Sequence, residues 1–415
     1  MESRTYRQPG LVVTEFVLSV PLNHAVPDGE RIDVFARGVV AVDKAADDQP
    51  WLVFFQGGPG FEGPRPESMS SPAWLARALA DYRVLLIDQR GMGRSTPIGV
   101  QDALNSTPEV LAERLALHRA DAIVRDAECF RLALGVNKWS ILGQSFGGFC
   151  SLAYLSSFPE SLREVFITGG LPSLDAEIDE VYRETYRDVA AKTFHFYERY
   201  PEDRQRMSEL AALVASEDIR LPNGDRLTHR RLRYLGNLLG MAAGAERLHH
   251  ILELPPTGAA FLYDVERATE FGRNPLYAVV HESCWASGIT TAWAAERTLP
   301  RTYHDDPTLF TGEHIYPWMF DDLAGLAPFR EAAHLLAHRR WPKLYDANVL
   351  AENDVPSAAA IYVNDMYVPR RYSEDTARRV KGLRAWITNE YEHDGLLADA
   401  PVVLDRLIAL TRGKA

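Results

Sequence analysis

Cysteine is scarce in this chain: three in 415 residues, at positions 129, 150 and 284. An odd set with no C-x-x-C pair and no Cys/His ligand spacing argues against both a disulfide framework and a zinc site, so no metal is expected. Basic residues are outnumbered, 45 Lys and Arg against 57 Asp and Glu, which leaves a formal charge of −12. An acidic chain without a basic stripe repels phosphate backbones, so nucleic acid is not an expected partner. Long apolar runs are also missing. Nothing approaches the ~18 uninterrupted apolar residues of a membrane span, and the opening "MESRTYRQPG" has no apolar stretch of signal-peptide length. The expectation is a soluble, cytoplasmic chain in a reducing compartment, without a membrane partner. Internal repeats and low-complexity segments are absent, and nothing in the sequence specifies an oligomeric state.

What is present is ordinary globular material, 46% hydrophobic and 25% charged, enough for a sizeable core. "LVVTEFVLSVPL" and "RIDVFARGVVAV" read as strands flanking the turn-like "NHAVPDGE". Short apolar runs that end at glycine or aspartate follow, "WLVFFQGGPG" and "YRVLLIDQRGMG", then helical "RDAECFRLALGV", the strand "WSIL", the helix "GFCSLAYLSSF" and the strand "EVFITGG". Buried-type strands alternating with amphipathic helices predict a mostly parallel sheet covered on both faces. After Gly170 the pattern turns helical, with Ile178, Val181, Tyr182, Tyr186 and Val189 at three- and four-residue steps. One interruption, "IRLPNGDRLT", carries an Asn-Gly hairpin signal. Strand and helix alternation resumes at "SAAAIYVNDMYV", "SEDTARRV", "LRAWITNEY" and "VVLDRLIALTR". Residues 1–170 and 355–415 are therefore expected to form an α/β core, and 171–354 a mainly helical insertion.

Gly143-Gln144-Ser145-Phe146-Gly147 fits the G-x-S-x-G elbow, in which a serine sits on a turn between strand and helix so tight that side chains two positions away would collide. A nucleophilic serine needs donors for the oxyanion it creates. The N–H after the serine, that of Phe146, is one; the Gly-rich loop "FFQGGPG" after an earlier strand offers Gly58 N–H as the other. It also needs a base and a group to orient that base. In this motif class an acid and then a histidine follow the serine in chain order, each after a later strand. Asp365 follows "AAAIYVN", and His393 follows "RAWITNEY". Asp354 lies at the wrong end of its strand, and Asp394 is adjacent to the histidine. In "DQRGMGRS", Asp88 and Arg90 are read as a buried structural pair that holds the turn.

Several segments together resemble the prolyl aminopeptidase (proline iminopeptidase) family of serine peptidases, α/β-hydrolase folds with a large helical cap. They are "QGGPG" (56–60), "DQRGMGRS" (88–95), "GQSFGG" (143–148), "HESCWA" (281–286), "NDMYVP" (364–369) and "NEYEHDG" (389–395). They run through the whole chain in the family's order. Two departures stand out: Gln56 replaces the histidine of smaller members, and Met92 stands where threonine is common. Neither removes a backbone donor.

The resemblance implies release of N-terminal proline from small peptides, with Ser145, Asp365 and His393 as the triad and no cofactor. It also implies cap carboxylates that recognise a cationic secondary amine by charge-assisted hydrogen bonds. Glu282 in "HESCWA" matches the family's glutamate and is the first candidate; Glu313 in "TGEHIYPWMF" is the second and Glu180 in "DEVYRETY" the third. Phe146, Trp285 and Tyr316–Trp318 are candidates for the walls of a proline pocket, and Cys284 lies close in sequence to Glu282. A different hydrolase on the same core (an esterase, an amidase or a broader aminopeptidase) is the nearest alternative. A non-catalytic ligand-binding relative is the other.

Overall fold

A computed structural model of the protein describes residues 1–414. Nine strands form one sheet: β1 (Glu2–Gln8), β2 (Leu11–Pro21), β3 (Arg31–Ala41), β4 (Trp51–Phe55), β5 (Arg83–Ile87), β6 (Trp139–Gln144), β7 (Leu162–Thr168), β8 (Ser357–Tyr362) and β9 (Leu383–Thr388). Their order is β1-β2-β3-β5-β4-β6-β7-β8-β9. The first three pair antiparallel, β3 meets β5 antiparallel, and every pair from β5 to β9 is parallel.

Side chains alternate across the parallel strands, as the two-residue period of a strand requires. Val53, Phe55, Leu85, Ile141, Val165 and Ile167 pack on one face with the helices Ala120–Ala133 and Phe146–Ser157. Leu52, Phe54, Val84, Leu86, Leu142 and Phe166 face the other way, against Leu75–Asp81 and Ala400–Thr411. With both faces covered, the central strands are mostly apolar, and β6 and β8 are buried along their whole length.

Between β7 and β8 the regular elements are helices, beginning with the 22-residue Ile178–Arg199. This region, called the cap below, rests on loops at the C-terminal ends of the strands. Asn274 donates to Gly60 O (2.9 Å) after β4, His393 N–H donates to Gly240 O (3.1 Å) after β9, and Trp285 packs edge-on against Phe149. The expected hairpin near Asn223-Gly224 is reduced to a turn closed by one bridge, Arg220–Arg226. No helix among the described residues is long and apolar enough to cross a membrane.

Candidate active site

Ser145 ends β6 and opens the Phe146–Ser157 helix, with φ 54° and ψ −123°. A non-glycine residue in that region carries roughly 1–3 kcal/mol of strain, which the surrounding contacts must hold in place. They do so by close approach. A methyl group on Gly143 would lie 2.2 Å from Gly147 O, and one on Gly147 would lie 1.9 Å from Phe55 O. Ser145 N–H donates to Thr168 O (2.9 Å), tying the turn to the end of β7. Phe146 begins the helix, so its N–H has no intrahelical partner.

The loop after β4 lies against the serine. A Cβ on Gly57 would be 3.1 Å from Ser145 Cβ. Gln89 Nε2 donates to Gln56 O (3.0 Å) and Gly57 N–H donates to Gln56 Oε1 (3.2 Å). Gly58 N–H has no protein acceptor among the described residues.

His393 Nδ1 is 2.7 Å from Asp365 Oδ2. The other Asp365 oxygen accepts from the N–H groups of Tyr367 (2.9 Å) and Val368 (3.0 Å), which fixes the carboxylate plane. Both residues are buried. Burial disfavours the imidazolium, but the charge and hydrogen bond of Asp365, with Glu313 and Asp394 behind it, carry the His393 pKa above its ordinary 6.5. The ring lies against Gly169, where a Cβ would meet Nδ1 at 3.1 Å, one residue beyond the carbonyl that holds Ser145. Among the described residues no hydrogen bond joins Ser145 Oγ to the imidazole. Catalytic hydrogen bonds are often long in a free enzyme and tighten with substrate.

The cap carboxylates occupy very different surroundings. Glu313 is half-buried and accepts from Tyr277 OH at 2.5 Å. Its charge acts to raise the pKa values of His393, His281, Tyr234, Tyr277 and Tyr367, which puts the carboxylate within electrostatic reach of the imidazole. Glu282 is buried, and its Oε1 accepts from Ala295 N–H at 3.0 Å. Among the described residues its Oε2 has no hydrogen-bond partner, and burial pushes its pKa up to about 7. The cavity beside it, between cap helices, is about 20 Å³, room for one water at most. Glu180 is exposed in the first turn of Ile178–Arg199.

Trp285 is half-buried against Phe149, whose ring lies 6.2 Å from that of Phe146. Tyr316 and Trp318 stack on each other within the cap core. Cys284 is buried. Asp88 and Arg90, expected to pair, do not. Arg90 forks onto Asp126 (2.6 and 2.7 Å), while Asp88 accepts from Arg94 N–H and faces Arg37.

Residues 50–223 match the α/β hydrolase fold family model. The chain is 45% identical over 98% of its length to a proline iminopeptidase of Aeromonas sobria, with 98% of that protein covered. It is 33% identical over 96% of its length to proline iminopeptidase aneH of Aspergillus aculeatus, with 93% covered. The chain belongs to the proline iminopeptidase family, within the α/β-hydrolase superfamily. Among solved structures it is similar to a proline iminopeptidase-related protein of Thermus thermophilus, at 17% identity and a TM-score of 0.42, covering 96% of this chain and 99% of that one.

Two neighbours of the site are placed by non-local packing: Tyr277, whose hydroxyl meets Glu313, and Tyr367, whose ring lies edge-on to the imidazole. Tyr277 carried no signal in the sequence; Tyr367 lies within the segment 364–369, as Glu392 and Asp394 lie within 389–395.

Proposed function

We propose that the chain is a serine exopeptidase that releases N-terminal proline from peptides through a prolyl-enzyme. The observation that carries this reading is the arrangement around His393: Asp365 on one ring nitrogen, the Ser145 turn beside the ring, and the Glu313 charge within electrostatic reach.

Ser145 Oγ attacks the prolyl carbonyl as His393 takes its proton; Asp365 keeps the proton on Nδ1 and stabilises the imidazolium. The N–H groups of Gly58 and Phe146 receive the oxyanion, each worth roughly 3 kcal/mol in comparable sites. His393 returns its proton to the leaving amine, and water then releases proline from the ester by the same steps in reverse roles. No residue here requires a metal or organic cofactor for these steps.

Recognition of the substrate amine is assigned to Glu313. A carboxylate held by one tyrosine hydroxyl keeps an acceptor oxygen for a secondary ammonium. Glu282, though first by sequence match, is engaged by the Ala295 amide beside a cavity too small for a pyrrolidine ring, and Glu180 is solvated. Trp285 and Phe146 remain the proposed apolar walls.

The test compares proline p-nitroanilide with its N-acylated form, together with labelling by a serine-directed phosphonate. The expected result is turnover of the free-amine substrate alone, a label on Ser145, and loss of both in Ser145→Ala. Glu313→Gln should raise KM for the free amine by about 10- to 100-fold, the range of a lost charge-assisted bond. Equal turnover of the acylated substrate would overturn amine recognition and favour an esterase or amidase.

A further inference from the structure

Three consecutive residues around the proposed base are each tied to the cap. Lys192, on the Ile178–Arg199 helix, pairs its ammonium with the Glu392 carboxylate. His393 N–H donates to Gly240 O at 3.1 Å. Asp394 Oδ1 accepts from Ala242 N–H at 2.8 Å. A fourth tie comes from the loop carrying Asp365: Tyr367 sets its ring edge-on to the imidazole at 4.8 Å and donates its hydroxyl to Asn237 O.

The cap side of these contacts is stiff. Met241 N–H donates to Leu238 O (3.1 Å) and Gly244 N–H to Met241 O (2.9 Å). Ala243 is held at φ 56°, and a methyl group on Gly244 would lie 1.8 Å from Leu238 O. Asp394, for its part, precedes the Gly395–Ala398 helix, where an aspartate ordinarily caps the first N–H groups. Here its side chain makes no such cap bond. The buried carboxylate is used on the Ala242 amide instead.

We infer that the cap turn Leu238–Gly244 sets the position of His393, with Asp394 as a positioning residue that acts through the imidazole, so that the triad is aligned only while the cap is seated. This rests on the triad reading above. A base displaced by about 1 Å loses on the order of a hundredfold in rate, whereas the pocket that binds the substrate amine is left unaltered.

The test uses the full-length protein with Asp394→Ala and the shape-preserving Asp394→Asn, whose carbonyl still accepts from Ala242. Two rates are read: turnover of proline p-nitroanilide, and phosphonylation by a small alkyl phosphonate that needs the base but not the amine site. In Asp394→Ala, kcat and phosphonylation should fall together by about 10- to 100-fold, with KM within about twofold. Asp394→Asn should keep both rates near the parent's. In both variants the acid limb of kcat/KM should move down, since the same negative charge near His393 is lost.

The inference is overturned if Asp394→Ala retains both rates while only its Tm falls, or if Asp394→Asn loses as much rate as Asp394→Ala. Where Asp394→Ala does not fold, the volume-filling Asp394→Leu, which likewise cannot accept from Ala242 N–H, reads the same pair of rates, and parental values there count against the cap turn in the same way. A His393→Ala variant that still phosphonylates at the parental rate would instead sink the triad reading.

Discussion

Replacing Glu282 by glutamine should stabilise this protein at alkaline pH and leave substrate binding alone. Ordinarily a glutamate titrates near 4.5, but burial holds this one at about 7. The sign follows from proton counts. Between those two values the folded state keeps a proton that the unfolded state has lost, so stability falls as pH rises. Each pH unit of separation is worth about 1.4 kcal/mol, and above pH 7 the accumulated cost reaches roughly 3 kcal/mol. Glutamine has the same shape, keeps an oxygen for the Ala295 N–H and never ionises. With an unfolding entropy of about 2.1 cal/mol/K per residue, 3 kcal/mol corresponds to about 3 °C in a chain of this length.

The assay is a pair of melting curves for parent and Glu282→Gln at pH 5 and pH 8, with KM for proline p-nitroanilide measured at pH 8. A Tm gain of about 3 °C at pH 8 that shrinks towards zero at pH 5 is the expected result, with KM within about twofold of the parent. An equal Tm difference at both pH values would refute the burial argument. A tenfold rise in KM would show that this carboxylate, rather than Glu313, meets the substrate amine.

Asp365→Asn should lower kcat by about 10³- to 10⁴-fold with KM little changed, because the amide cannot hold the proton on Nδ1; steady-state kinetics on proline p-nitroanilide read this directly. Gly147→Ala should abolish soluble expression or phosphonate labelling, since its methyl group would sit 1.9 Å from Phe55 O, and parental labelling would refute the close approach. The acid limb of kcat/KM for the parent should lie above pH 6.5, with activity lost as His393 gains its proton, and should shift down in Glu313→Gln. A pH profile of each variant checks the sign.

Local chemistry was legible in the sequence; non-local choice was not. The turn at 139–157 can be read because strand, serine, flanking glycines and helix are contiguous. Asp365 and His393 follow from chain order, since each lies just past a strand, and strand ends on one edge of a parallel sheet converge. The cap defeats such reasoning. Whether Glu282 or Glu313 faces the imidazole depends on how short helices pack, and neighbouring sequence records only that both are acidic. Arg90 likewise sits two residues from Asp88 yet reaches Asp126 on the Ala120–Ala133 helix. Both residues lie in the loop after β5, and the long guanidinium side chain finds its acid across the layer. The Asn223-Gly224 turn forms, with Gly224 at φ 90°, while its flanks stay unpaired beyond Arg220–Arg226. A hairpin surrounded by helices has no sheet face to join, and a lone two-stranded ribbon is marginal.

If Glu313 binds the substrate amine as proposed, its place within electrostatic reach of the base has a consequence. In the free protein the Glu313 charge helps hold the His393 pKa up, which favours the protonated form that cannot take the serine's proton. A prolyl ammonium bound at Glu313 would bring a positive charge within reach of the imidazole and oppose that effect. The imidazole then releases its proton more readily when the correct substrate is present, so the acid limb of kcat should lie below that of kcat/KM. A peptide with a blocked N-terminus brings no such charge and meets a base still held in its protonated form. Discrimination between free and blocked amines therefore gains a contribution from base strength in addition to binding, and that contribution is greatest below the free protein's acid limb. Glu313→Gln removes both halves of the effect at once: KM rises, and the two limbs converge.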